Sequence, residues 1–286
     1  MRTVLVTGAT GFLGQEVSRR LMALGYRVMG LVRTIPEDLA VVPLLGNLLE
    51  PDPFQGPDLV CDAFIHCAGN HPGEAVDLGG LHESGTARAI AEARTRGIRR
   101  FIHISVIGAS PDAPTRFQRS KWASEELVRR SDLEWTILRP HLMFGQGSRT
   151  FHQLERAAAK PWAVLPESRV LLQPIYVGDV AELAIRSLWL PRTVGEAYDI
   201  AGPHSMRLED IVRHIARDLH WFRIWTIQIP KKYAYQMLSW VGRSSPILRG
   251  TEWEFLQHEV PPQSPQWLTD YGLLPHSLAM FYSPLS

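Results

Sequence analysis

Three glycines, Gly8, Gly11 and Gly14, follow directly on the apolar run Val4-Leu5-Val6, within Thr7-Gly8-Ala9-Thr10-Gly11-Phe12-Leu13-Gly14. Gly8 permits a tight turn, Gly11 lets the backbone approach a ligand, and Gly14 lets a helix pack closely on a sheet. A helix starting here, over Gln15 to Leu24, presents free N–H groups and the positive end of its dipole to whatever sits in the turn. Such an end binds an anion. A second apolar strand, Val28–Val32, completes a strand–loop–helix–strand unit, and in that setting the anion is the pyrophosphate of a dinucleotide.

Other reactive residue types carry less. His66, His71, His103 and His141 lack the spacing of metal ligands and have no acidic neighbours, so no metal is expected. His103 lies in an apolar strand and reads as a core histidine. Cys61 and Cys67 flank a buried strand without forming a Cys-x-x-Cys pair, which points to free thiols in a reducing cytoplasm.

A glycine loop of this kind has to be held by a sheet. Short apolar segments at Val4–Val6, Val28–Val32, Ala63–His66, Phe101–Ile104 and Thr136–Leu138 alternate with helical patterns at Gln15–Leu24, Glu83–Arg96 and Gln118–Arg130. That alternation predicts an α/β fold, a Rossmann-type doubly wound parallel sheet with its ligand across the carboxyl ends of the strands. Beyond Arg139-Pro140 the pattern is less regular, with helices expected at Phe151–Ala159, Val180–Leu188 and Leu208–Leu219 and a strand at Ala197–Ile200. Residues 1–150 are read as the dinucleotide-binding domain. Residues 151–286 are read as a smaller C-terminal α/β lobe, interwoven with the sheet, that meets substrate or partner. Glu259 to Pro265 reads as an extended loop because its prolines cannot sustain a helix.

Composition narrows the class. The 286 residues are 45% hydrophobic and 21% charged, with a formal net charge of +1. This balance gives no reason to invoke nucleic acid. No apolar run is long enough for a membrane span. The first strand begins so early that no cleaved signal peptide is expected.

The ordered segments TGATGFLG, LVR, GN, HCAG, GT, FIHIS, FQRSK, LRPHLMFGQG, LQPIYVGDVA and YDIAGP resemble the atypical, extended short-chain dehydrogenase/reductase superfamily, the epimerase/dehydratase-like group. Within it the chain is most similar to NmrA-like proteins and relatives of a complex I accessory subunit. The resemblance runs through about Gly202 and more loosely beyond. It implies that Gly8, Thr10, Gly11, Phe12, Leu13 and Gly14 hold the pyrophosphate, with Asn47 and Leu48 at the adenine edge. Ala68 and Gly69, Ser105, Lys121, Pro140 and His141 would border the rest of the cofactor. Members that prefer NAD(H) carry an acid at the end of the second strand; here Val32 is followed by Arg33, which suits a 2′-phosphate and favours NADP(H). NAD(H) is the alternative.

The resemblance also exposes a departure. Active members carry Tyr-x-x-x-Lys on a helix, where lysine holds the nicotinamide ribose and lowers the tyrosine pKa. Here the segment reads Phe117-Gln118-Arg119-Ser120-Lys121, so lysine stays and the hydroxyl is gone. Val106 takes the place of the catalytic serine or threonine, with Ser105 one residue earlier. His82 falls where many members have asparagine and is a candidate replacement acid or base, against the reading of a helix-start residue. Tyr176 is a second candidate, against packing or substrate contact. Asp179 reads as the N-cap of the helix from Val180.

Two functional readings follow. The first is an NADPH-preferring, oxidoreductase-like protein that lacks the usual proton donor and acts on a small or quinone-like substrate. The second is a non-catalytic NADPH-binding structural, assembly or redox-sensing protein with a protein partner. The aromatic stretch Trp221, Trp225, Tyr233, Tyr235, Met237 and Trp240 reads as core, or as a pocket lid, partner face or peripheral membrane contact.

Overall fold

The computed structural model describes residues 2–35, 41–51, 53–54, 60–69, 80–168, 170–220, 224–230 and 265–282. Six strands form in the first half: β1 (Thr3–Thr7), β2 (Arg27–Val32), β3 (Val42–Leu45), β4 (Ala63–His66), β5 (Arg100–Ile104) and β6 (Glu134–Pro140). Helices α1 (Phe12–Ala23), α2 (Gly85–Thr95) and α3 (Arg116–Arg129) connect them, and a π-helical turn, Gly80–Ser84, leads into α2. The second half contains β7 (Met143–Phe144), α4 (Arg149–Ala158), β8 (Trp162–Pro166), β9 (Leu171–Leu172), β10 (Ile175–Tyr176) and α5 (Val177–Ser187). It continues with β11 (Glu196–Ile200), β12 (Met206–Arg207), α6 (Leu208–His220), β13 (Trp225–Ile229), α7 (Gln266–Tyr271) and α8 (Leu278–Tyr282).

The main sheet has seven strands in the order β3-β2-β1-β4-β5-β6-β11, with every pair parallel. Strand order reverses between β1 and β4, so the loops after these two strands diverge and leave a crevice at their carboxyl ends. All five residues of β1 are buried, as a central strand covered on both faces requires. Its side chains alternate. Val4 and Val6 join Leu13, Val17 and Leu21 of α1 and Val180 and Ala184 of α5 on one face. Leu5 joins Phe64, Phe101, Ala89 and Ala93 of α2, and Val128 of α3 on the other.

A third core holds α4 and α6 together, with Phe151, Leu154, Ile211 and Ile215 among its buried residues. Residues 177–200 run back to the main sheet as α5 and β11, and α7 then places Trp267 and Tyr271 in the same core as Val4 and Val6. The Tyr271 hydroxyl lies 2.6 Å from Ser187 Oγ, and Arg186 donates to the Tyr271 carbonyl at 2.9 Å.

Helix α5 begins three residues before the expected start, with Tyr176 as its N-cap. Asp179 is therefore not the cap. It sits buried in the first turn, where its carboxylate accepts the His276 backbone N–H at 2.7 Å and meets His276 Nδ1 at 2.6 Å. Strand β3 was not expected; Pro43 suits it to the sheet edge it occupies, since an edge strand can spare an N–H. His71, Trp221, Tyr233, Tyr235, Met237, Trp240 and nearly all of the loop expected from Glu259 lie outside the described residues.

Candidate functional site

A cleft of about 460 Å³ opens at the carboxyl ends of the central strands. Its floor is the glycine loop, Gly8, Thr10 and Gly11, with Phe12, Leu13 and Gly14 of α1. Gly8 has φ of +68°, and a side-chain carbon there would lie 2.9 Å from the Ala68 backbone, so only glycine fits between the ends of β1 and β4. At Gly14 an added carbon would lie 2.0 Å from the Gly8 carbonyl oxygen, which is how closely α1 packs on the turn before it. Gly11 caps α1 with no side-chain hydrogen bond, and the first turn has no acidic residue. The helix start thus keeps its N–H groups and positive end for an anion in the cleft.

The opposite wall comes from β5, α3 and the loop after β6. Ser105, Val106, Phe117, Lys121, Pro140 and His141 line it, with Gly69 at the end of the β4 loop. Thr115 starts α3 by accepting a hydrogen bond from the Gln118 N–H at 3.1 Å, and this sets the register that turns Phe117 and Lys121 to the cleft. Lys121 is buried, and its Nζ donates to the Ile104 carbonyl at 2.7 Å. Burial pulls its pKa down to about 8, opposed chiefly by Glu125.

His82 stands beside this group, buried in the π-helical turn that leads into α2. Ser120 Oγ donates to the Phe117 carbonyl at 2.8 Å, so His82 Nδ1–H donates to Ser120 Oγ, also at 2.8 Å, and Nε2 is the acceptor nitrogen. The His82 and Phe117 rings meet edge to face at 5.4 Å. An added carbon on Gly69 would lie 3.7 Å from both His82 Nε2 and Lys121 Nζ. Burial, then the Lys121 charge, pushes His82 down to about 2, so it is neutral. His141 is pushed down to about 4 by burial and accepts the Leu142 N–H on Nδ1 at 2.7 Å.

Not all of the expected residues converge. Ser105 lines the cleft, but its hydroxyl donates to the Glu125 carboxylate beneath. Arg33 is exposed beyond the end of β2, outside the cleft lining. Asn47 Oδ1 accepts the Leu49 N–H at 3.1 Å, shaping the turn after β3, and Leu48 is buried. Ala68 stands against Gly8 at the strand reversal rather than on the cleft wall. Tyr176 packs among Phe144, His276 and Phe281, with ring centroids 5.6–5.7 Å away, outside the lining.

Sequence reasoning missed Met143, Ser148, Arg149 and Thr150, which close the far end of the cleft. A signal was present: Gly145 and Gly147 both have positive φ, and Ser148 then caps α4 by accepting the Phe151 N–H. Among the described residues no group of three or more His, Cys, Asp or Glu is placed to hold a metal ion. Cys61 and Cys67 form no disulfide, and Cys61 Sγ donates to Met29 Sδ at 3.5 Å.

The cleft fits a dinucleotide on its own evidence. The glycine cradle would be filled by any side chain, the helix start lacks an acidic partner, and a buried lysine lies across the gap. Fold and site together define a nucleotide-binding protein of the doubly wound class. A family model described as NAD(P)H-binding matches residues 8–164, and the chain belongs to that family, within the atypical short-chain dehydrogenase/reductase superfamily. It is 27% identical over 294 residues to the mitochondrial NADH-ubiquinone oxidoreductase 40 kDa subunit of Neurospora crassa, covering 98% of this chain and 77% of that protein. Ceramide reductase of Caulobacter vibrioides is 35% identical over 188 residues, 62% of this chain and 58% of that protein. UDP-glucose 4-epimerase from Thermotoga maritima, solved with UDP-glucose, shares the fold with a TM-score of 0.73 at 14% identity, covering 98% of this chain and 96% of that one.

Proposed function

We propose that this chain is an NADPH-preferring, oxidoreductase-like member of the superfamily whose site does not support ordinary alcohol–ketone chemistry. The observation that carries the reading is Phe117. It lines the cleft four residues before Lys121, where a hydroxyl would have to stand to donate a proton to a substrate oxygen. His82, neutral and held through Ser120, is a hydrogen-bond partner rather than an acid at neutral pH. A bound nicotinamide supplies a hydride. The protein's own residues are then suited to an acceptor that needs no proton from the enzyme in the same step, such as a quinone-like compound or an activated double bond. Phe117, Val106, Leu142 and Met143 give that acceptor an apolar wall.

Preference for NADPH rests on Arg33, exposed where β2 ends and not accompanied by an acid there. Residues Gly8 to Gly14 hold the pyrophosphate, Asn47 and Leu48 border the adenine, and Lys121, Gly69, Ser105, Pro140 and His141 border the nicotinamide half. Titration of the protein with NADPH and NADH, followed by nicotinamide fluorescence, tests this directly. Tighter binding of NADPH, lost by about tenfold in Arg33→Ala with NADH unchanged, is the expected result. Equal affinities would remove the preference, and no binding of either would remove the reading.

A second reading, a non-catalytic protein that keeps the cofactor as a resident ligand within a partner complex, is favoured by one surface. Trp162 and Trp225 face each other in register across β8 and β13 and are 53% and 79% exposed, with Ile227 52% exposed beside them. Exposed aromatics in register suit a protein partner. Near likeness to a complex I subunit over 98% of the chain supports the same reading. A cytoplasmic setting is part of the proposal, supported by the two cysteines, which are not joined in a disulfide. So is kinship with NmrA-like members, supported by the ordered segments from TGATGFLG to YDIAGP.

A further inference from the structure

His141 is a cleft residue whose ring is only half engaged. It follows Pro140 at the end of β6, and the main chain around it is fastened at three successive residues. The Pro140 carbonyl accepts the Ile107 N–H at 3.2 Å, the His141 N–H donates to the Ile200 carbonyl of β11 at 2.8 Å, and the Leu142 carbonyl accepts the Ile175 N–H at 2.9 Å. His141 is 8% exposed and lines the cleft with Val106, Leu142 and Met143.

Its Nδ1 turns back on the chain and accepts the Leu142 N–H at 2.7 Å. That bond fixes the tautomer, because a nitrogen that accepts carries no proton and Nε2 must then carry it. It also keeps the ring neutral: protonating Nδ1 would set two N–H groups against each other. Burial acts in the same direction. With Nδ1 held against the main chain, the opposite ring edge is the one left for the cleft, and Nε2–H has no acceptor among the described residues. Neighbouring donors are already engaged. The Ser105 hydroxyl goes to Glu125, the Ser148 hydroxyl to the Met143 carbonyl at 3.2 Å, and Lys121 Nζ to the Ile104 carbonyl. Phe117 and Val106 have none to offer.

We infer that His141 Nε2–H holds the oxygen of the hydride acceptor, and that this acceptor is a quinone or an α,β-unsaturated carbonyl compound whose reduction leaves a delocalised oxyanion. This rests on the reading above that hydride transfer in the cleft takes no proton from the enzyme. Hydride from NADPH adds to the acceptor and leaves NADP+. The electron pair it displaces from the conjugated double bonds settles on the acceptor's oxygen as a phenolate or enolate, and water supplies the proton after release. The imidazole keeps its own proton throughout. A fixed N–H in an apolar wall bonds that oxygen more strongly as charge develops on it. The alkoxide of an ordinary ketone is too basic to wait for water, so the same donor does not serve it.

The tautomer is read first, in the cofactor-free protein, from histidine side-chain nitrogen–proton correlations by NMR, with His141→Gln assigning the signal. A proton on Nε2 is expected; a proton on Nδ1 overturns the inference, whatever the cofactor does. The protein saturated with NADP+ is then titrated with 4-nitrophenolate, which stands in for the delocalised oxyanion. His141→Asn keeps an acceptor for the Leu142 N–H and loses the distal donor, whereas His141→Gln reaches far enough to replace it. Phenolate affinity is expected to fall about tenfold or more in His141→Asn, further than NADPH affinity falls, and to recover most of that loss in His141→Gln. The visible band of the bound phenolate should also move to longer wavelength in His141→Asn, as an oxygen deprived of its donor requires and a purely structural ring would not cause. Equal phenolate affinity in wild type and His141→Asn overturns the inference. So does an equal loss of phenolate and NADPH, because the donor then serves the cofactor. Failure of wild type to bind NADPH would strike the functional reading and leave the tautomer result standing. Should His141→Asn not fold, the band of the phenolate bound to wild type decides: a band at shorter wavelength than in an aprotic solvent supports the inference, and one at the aprotic position overturns it.

Discussion

Phe117 is the residue on which the proposed chemistry turns, and its surroundings argue that restoring the hydroxyl alone is insufficient. Val106 stands where a second hydroxyl would help, and the nearest candidate, Ser105, is committed to Glu125. Phe117→Tyr is therefore expected to keep NADPH affinity within about twofold while falling short of the roughly 10²–10⁴-fold that acid–base assistance supplies. Steady-state carbonyl reduction with NADPH measures this. A gain of that full size would mean the tyrosine was the single missing part, and that the rest of the site is still an ordinary reductase. Tyr176, by contrast, is held among Phe144, His276 and Phe281, so Tyr176→Phe should leave both cofactor affinity and any turnover near wild type.

At the scale of elements, α3 matters most because one helix carries Phe117, Lys121 and Glu125. Its start depends on Thr115, whose hydroxyl accepts from the Gln118 N–H and donates to Gln118 Oε1 at 2.8 Å. Thr115→Ala should destabilise the protein by about 1 kcal/mol, read by urea unfolding, and weaken NADPH binding as the first turn frays. Gly14→Ala should do more, since its methyl group would collide with the Gly8 carbonyl and push α1 off the glycine loop. Strands and helices of this kind were readable in advance: Ala63–His66 was found with the expected ends, because a central strand is a continuous apolar run. The glycine loop, Lys121 and Phe117 were readable for a similar reason, as local spacing carries them. Asp179 misled because an acid near a helix start suits either the cap or the first turn, and only the His276 contact, 97 residues away, decides between them. Glu125 was invisible for the same reason. Its partners Ser105, just past β5, and Arg139 of β6 lie 20 and 14 residues away, and no local pattern pairs them.

Across the whole molecule, neutral histidines sit unusually close to the cleft. His66 pairs with Thr7 Oγ1 at 2.6 Å and stacks on His103 at 5.3 Å, and burial pushes His66 down to about 3 and His103 well below its ordinary value. His103 Nε2 meets Ser124 Oγ at 3.1 Å, while its Nδ1 has no hydrogen-bond partner among the described residues. With His82 and His141 these groups bind protons more readily unfolded than folded. Their contribution to stability is fully present above about pH 6.5 and is lost as pH falls towards their folded values, each adding a slope of about 1.4 kcal/mol per unit. Urea unfolding at pH 7.5, 6 and 5 should show a steep loss before carboxylates titrate. A flat profile over that range would mean the histidines are solvated in the native state.

The shared core of β1 and α7 has a bearing on how the chain is made. Val4 and Val6 leave the ribosome more than 260 residues before Trp267 and Tyr271, which finish covering that same core. A nascent chain with the glycine loop, the cleft and α5 already outside still has an open apolar seam. Sealing that seam joins positions more than 260 residues apart, a contact that closes slowly and leaves the waiting chain sticky. The core face of β1 therefore stays incompletely covered until residue 271 has emerged.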